Sequence, residues 1–170
     1  MEKAKNLFFN YSCSRFFMSR DGADYEYDQY GVTAEQEAIW RKEYIDFWTS
    51  RLSVDDLEAL NNLDHAWAIE AIPDLIKICG QAEGYAKLQY ADSIWQLSKS
   101  SKLQGDIRKQ AIETSIAAWE SLLTGNFNIP EQFRKKIISL MPRIEATTAE
   151  NYVINSAKRQ LEEAKKRGNQ

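Results

Sequence analysis

Few residues in this chain are placed to do chemistry: one histidine, two cysteines and a run of carboxylates near the N-terminus. A charge-relay nucleophile would have to use His65, the only imidazole. His65 stands beside Asp64, where a helix is expected to begin with Asp64 as its cap. Nothing around it has the nucleophile–base spacing that such a mechanism needs. Cys13 and Cys79 match no zinc or redox spacing and read as free thiols. The phosphate-cradling glycine patterns and the HExxH zinc pattern do not occur. The chain is therefore expected not to be an enzyme, and no cofactor or metal is expected.

The carboxylates Asp21, Asp24, Glu26 and Asp28 invite comparison with a calcium loop. Asp24, Glu26 and Asp28 alternate, and Glu35 falls at the twelfth position. The sixth position, where such a loop needs glycine for its turn, is Gln29. Two readings then compete, a solvated acidic loop and a partner surface. Tyr25, Tyr27 and Tyr30 interleave with the acids and favour the surface. Tyrosine supplies contact area at low entropic cost, and carboxylates steer a basic partner. The expected partner-binding set is Asp21, Asp24, Tyr25, Glu26, Tyr27, Asp28 and Tyr30, with Glu35, Glu37 and Glu43 of the following helix.

The charge distribution points the same way. Net charge is −3, but residues 21–76 hold fourteen acidic and three basic side chains. Residues 77–170 hold fifteen basic and ten acidic ones. The basic side includes Arg134, Lys135, Lys136, Arg143, Lys158, Arg159 and Lys165 to Arg167. These could track phosphates, which makes a helical-repeat nucleic-acid binder the alternative function. A pI near 5.3 ranks that second, and nucleic acid is not the expected partner.

The elements that must position these groups read as helices. Valine occurs only at 32, 54 and 153, and no glycine lies between Gly31 and Gly80. Thr33-Ala34-Glu35-Gln36 is a capping box. Trp40, Tyr44, Phe47, Trp48 and Leu52 follow it on one helical face. Ser53 to Asp56 restarts the chain before Leu57, Leu60 and Leu63. Pro73 suits the start of a helix. A long helix after Gly84 carries Tyr85, Leu88, Ala91, Ile94, Trp95 and Leu97 inward. The next stripe is Ile107, Ala111, Ile112, Ile116, Trp119 and Leu123. Pro130 then opens a helix with Phe133, Ile137, Leu140 and Met141, closed by Pro142. A second capping box, Thr147 to Glu150, opens the last helix, with Tyr152 or Val153, Ala157, Leu161 and Ala164 inward. The tryptophans at 40, 48, 67, 95 and 119 are expected mostly in the core.

Residues 1–32 lack this periodicity. Leu7 to Tyr11 and Phe16 to Met18 are short aromatic runs separated by serines, expected to be irregular or a short hairpin. They and the next eighteen residues hold twelve of the twenty aromatics. The whole chain, 1–170, is expected to be one all-α domain, a compact antiparallel helical array. No apolar run approaches the ~20 residues that span a bilayer, so no membrane association and a cytoplasmic location are expected.

Two resemblances carry further expectations. Ala71 to Lys77, followed by Tyr85-Ala86 and Tyr90 to Leu97, resembles one HEAT-type repeat. The pair over 105–141 is similar in outline. The resemblance implies an α-α superhelix. The stretch Tyr11 to Gly22, continuing to Tyr27, Tyr30 and Trp40, looks like small bacterial proteins that accompany toxin genes and are presumed to confer immunity. That resemblance implies a protein-binding module that neutralises a toxin by occlusion. It assigns no individual residue.

Overall fold

Capping side chains and glycine stops divide the chain into helices, and all regular structure among the described residues is helical. The computed structural model describes residues 1–140 and 148–168. The helices are α1 (Glu2–Asn10), α2 (Arg15–Arg20), α3 (Asp24–Asp28), α4 (Ala34–Thr49) and α5 (Glu58–His65). A 3-10 turn (Ile69–Ala71) leads into α6 (Ile72–Gln81), α7 (Gly84–Ser98), α8 (Gly105–Leu122), α9 (Glu131–Leu140) and α10 (Ala149–Gly168).

The expected N-terminal hairpin or irregular segment is replaced by three short helices. Ser14 caps α2, its Oγ accepting from the Phe17 N–H at 3.4 Å. Gly22 and Gly31, at φ +75° and +60°, stop the chain after α2 and α3. Helices this short bury only one or two side chains each, so no apolar period develops. Ala4 and Phe8 anchor α1, Met18 anchors α2 and Tyr27 anchors α3.

In α4 the Thr33 hydroxyl accepts from the Gln36 N–H at 3.2 Å, as the capping box requires. Trp40, Tyr44 and Ile45 face inward, while Phe47 is largely exposed. Asp64 does not cap a helix. It lies inside α5, and its carboxylate accepts from the Ser93 hydroxyl of α7 at 2.5 Å. Asp56 accepts the Glu58 N–H at 2.9 Å in the approach to α5.

The centre of the molecule is α7, which packs against α5, α6, α8 and α10. Its expected inward set is buried, and Ala86, Tyr90, Ser93 and Ser98 are buried with it. A helix enclosed on so many sides has no clean polar face. Gly84 starts it at φ +49°, where a Cβ would stand 2.5 Å from the Asn128 carbonyl oxygen. Only glycine permits the 128–129 segment to lie this close.

Pro73 sits in the first turn of α6. In α8 the inward residue near the end is Leu122, and Leu123 is exposed, one position from the expected stripe. Phe133 and Ile137 of α9 are buried, as are Val153, Ala157, Leu161 and Ala164 of α10. Met141, Pro142, Arg143 and Thr147 lie outside the described residues. Among those described, no helix is long and apolar enough to cross a membrane.

Candidate functional site

The acidic segment is folded onto its own cations. Asp21 to Tyr30 was expected to be loop-like, but it comprises the short turn after α2, then α3 and the two residues that follow it. Arg15 organises this cap. One guanidinium nitrogen lies 2.5 Å from Asp28 and another 4.0 Å from Glu37. The guanidinium also stacks over the Tyr27 ring at 4.7 Å. Asp21 is paired with its neighbour Arg20 at 2.6 Å, which lowers its carboxyl pKa. Glu43, further along α4, is paired with Lys5 of α1.

Tyr27 is not a contact residue. It is 1% exposed and stacks on Phe8 at 5.8 Å between ring centroids. Burial, then the charge of Glu37, raises the pKa of its hydroxyl. Its removal from the partner-binding set follows from the helical turn: within Asp24–Asp28, Tyr27 faces the core and Tyr25, 77% exposed, faces away.

Three acids of the expected set meet no cation at ion-pair distance among the described residues: Asp24, Glu26 and Glu35. Asp24 accepts the Tyr25 N–H at 3.0 Å. Glu26 accepts the Tyr30 hydroxyl at 3.2 Å, which ties α3 to the residue that follows it. Glu35 lies in the first turn of α4, where its own N–H and the Thr33 hydroxyl lower its pKa. Phe16 of α2 is also solvent-facing, at 71% exposure. The cap thus presents Phe16, Tyr25 and these uncompensated carboxylates.

Beside the cap lies a cleft of about 630 Å³. Phe9, Asn10 and Ser12 line it from α1 and its end, Glu43, Tyr44, Phe47 and Trp48 from α4, and Asn62 from α5. The rings form a continuous wall. Phe9 meets Tyr44 edge-on at 5.2 Å, Tyr44 meets Trp48 at 6.2 Å, and Phe47 meets Trp48 at 5.0 Å. The Tyr44 hydroxyl donates to Asn62 Oδ1 at 2.9 Å, and the Asn62 amide nitrogen donates to the Glu58 carbonyl at 2.9 Å. These bonds fix the floor. The apolar period of α4 places Tyr44, Phe47 and Trp48 on one face, but only Tyr44 is buried, while Phe47 is exposed and Trp48 half-buried. The signal for this is the width of the stripe, which spans more of the helix than one neighbour covers.

A second cleft, about 520 Å³, is lined by Arg15, Arg41, Trp67, Glu70 and Lys102 among others. Arg41 donates to the Ala66 carbonyl at 2.9 Å and to the Trp67 carbonyl at 3.3 Å, and it pairs with Glu70. These bonds hold Trp67 at φ +50° with its ring 57% exposed, so this tryptophan is not in the core.

The residues with conventional reactivity are held inert or apart. Burial pushes the Cys13 thiol up to about 12 and the Cys79 thiol up to about 11. His65 is exposed. Asp92, half-buried on α7, accepts the Trp119 indole N–H at 2.9 Å, and desolvation raises its carboxyl to about 6. Of the basic residues on the C-terminal helices, Arg134 is paired with Glu150 at 2.7 Å, while Lys135, Lys136, Lys158, Arg159, Lys165 and Lys166 are exposed. No group of three or more metal-ligating side chains occurs among the described residues. No protein-family model, curated protein or solved structure matches the chain.

Proposed function

We propose that this chain is a protein-binding module that docks a basic protein on its N-terminal cap and the adjoining cleft. The observation that carries this reading is the pairing of exposed rings with uncompensated carboxylates on one surface. Tyr25 and Phe16 are among the most exposed large apolar side chains of the molecule. Exposed aromatics are common interface anchors. Side chains of α2, α3 and α4 converge at Arg15, which meets Asp28, Glu37 and the Tyr27 ring.

The resemblance of the N-terminal stretch to presumed immunity proteins extends the proposal. On that reading the partner is a bacterial toxin, neutralised by occlusion within the cytoplasm. The scaffold would be a HEAT-like array, a reading supported by the successive packing of α6, α7 and α8 and the return of α10 onto α7 and α8. The test has two parts. Binding of the chain to the product of the neighbouring gene is measured, and growth of cells making that product is compared with and without the chain. Complex formation with restored growth is expected. Absence of both, with each protein folded, removes the immunity reading.

A further inference from the structure

The carboxylate that lines the aromatic cleft is already bound by a cation of the chain itself. Lys5 reaches across from α1, pairs with Glu43 and lies 5.4 Å from the Phe9 ring centroid. The Arg51 guanidinium lies 3.5 Å from the Phe47 centroid. Both aromatic walls thus carry a stacked positive group, and the carboxylate between them is engaged by an ammonium. Apart from this borrowed charge, the cleft offers rings, a carboxylate and neutral polar groups.

We propose that the cleft between α1 and α4 is a receptor for an arginine side chain of the partner, with Lys5 as the resident competitor that the arginine displaces. The inference rests on the protein-binding reading for its biology, and it names the chemical group that the surface takes. A guanidinium fits better than an ammonium for two reasons. It is planar and weakly hydrated, so it stacks on Trp48 with little desolvation cost. It can also donate to both oxygens of Glu43 while stacked, which a point-like ammonium does not do. Lys5 is held by one carboxylate and one ring at a half-exposed position, an arrangement of modest strength. It keeps the Glu43 charge and the Phe9 face covered until a better-matched cation arrives.

The probe is Nα-acetyl-arginine amide, titrated into the full chain at low salt and followed by NMR at the Trp48 indole and the Asn62 side-chain amide. The arginine amide should shift both signals, and Nα-acetyl-norleucine amide should not. The proposal makes two opposed predictions. Lys5→Met removes the competitor and should tighten binding, on the order of fivefold for one exposed ion pair with cation–π contact. Glu43→Gln should weaken binding by a similar factor. Phe47→Ala, which alters a half-exposed ring, should weaken it with the fold intact. Equal shifts with the norleucine amide would make the cleft a merely apolar groove and overturn the proposal. So would arginine binding that neither Lys5→Met nor Glu43→Gln changes. Equal affinity for Nα-acetyl-lysine amide would overturn the guanidinium assignment. The probe needs no partner protein, so failure of the immunity or docking reading leaves this result separately decidable.

Discussion

Lys5 and Glu43 stand 38 positions apart in sequence, yet the Lys5 ammonium bonds the Glu43 carboxylate beside the Phe9 ring. The contact joins the first helix to the middle of α4, where Glu43 lines the aromatic cleft. A half-exposed ion pair contributes little to folding, so a role in stability is a poor explanation for it. Lys5→Met should therefore change unfolding free energy by less than about 1 kcal/mol in urea titration. A loss of roughly 3 kcal/mol, the scale of a core truncation, would make Lys5 a structural tie.

Tyr25 and Tyr27 separate contact from core within one short helix. Tyr27→Ala removes a ring buried against Phe8 and under Arg15, and should cost roughly 3–5 kcal/mol. Tyr25→Ala removes an exposed ring and should stay within about 0.5 kcal/mol of the native chain. Chemical denaturation measures both. Equal losses would mean that α3 is not held as described.

Asp92 gives the fold a definite pH signature. Burial raises its carboxyl to about 6, against the pull of the Trp119 indole N–H, Arg159 and Gln160 and with a small push from Asp64. An acid whose pKa is higher in the folded chain binds protons more tightly there. Its favourable contribution is present at low pH and is lost as pH rises through about 6. Asp92→Asn keeps an acceptor for the Trp119 N–H and has no charge to bury. The stability of Asp92→Asn relative to the native chain should rise between pH 4 and pH 8, by an amount on the order of 1–3 kcal/mol. A difference that stays flat with pH would show that Asp92 is ionised at no cost.

Much of the scaffold was legible in the sequence, and the reason is periodicity. Long helices such as α7, α8 and α10 repeat an inward residue every third or fourth position, so Leu88, Ala91, Ala111, Trp119 and Ala157 announce themselves. The Thr33 box marks the start of α4 for the same local reason. The N-terminal cap was not legible. Helices α2 and α3 span 6 and 5 residues, less than two turns, and a single buried residue such as Met18 or Tyr27 makes no pattern. The pairing of the acids was hidden as well, because Arg15 with Glu37 and Lys5 with Glu43 are long-range contacts. The cleft escaped because composition treats Tyr44, Phe47 and Trp48 alike, whereas the turn of α4 buries the first and leaves Phe47 at its edge. Trp67 is misread from sequence for a further reason: its left-handed backbone is set by Arg41 on another helix.

If a partner docks on the cap and the aromatic cleft, hydrogen–deuterium exchange on the complex with the neighbouring gene's product will show it. Exchange should slow in α1, in α2 and α3 and along α4, with little change in α9 and α10. Charge reversal at Asp24 and Glu26 should slow association and weaken its dependence on salt. Protection confined to the basic helices α8 to α10, with the segment from Lys5 to Trp48 exchanging as in the free chain, would contradict the account.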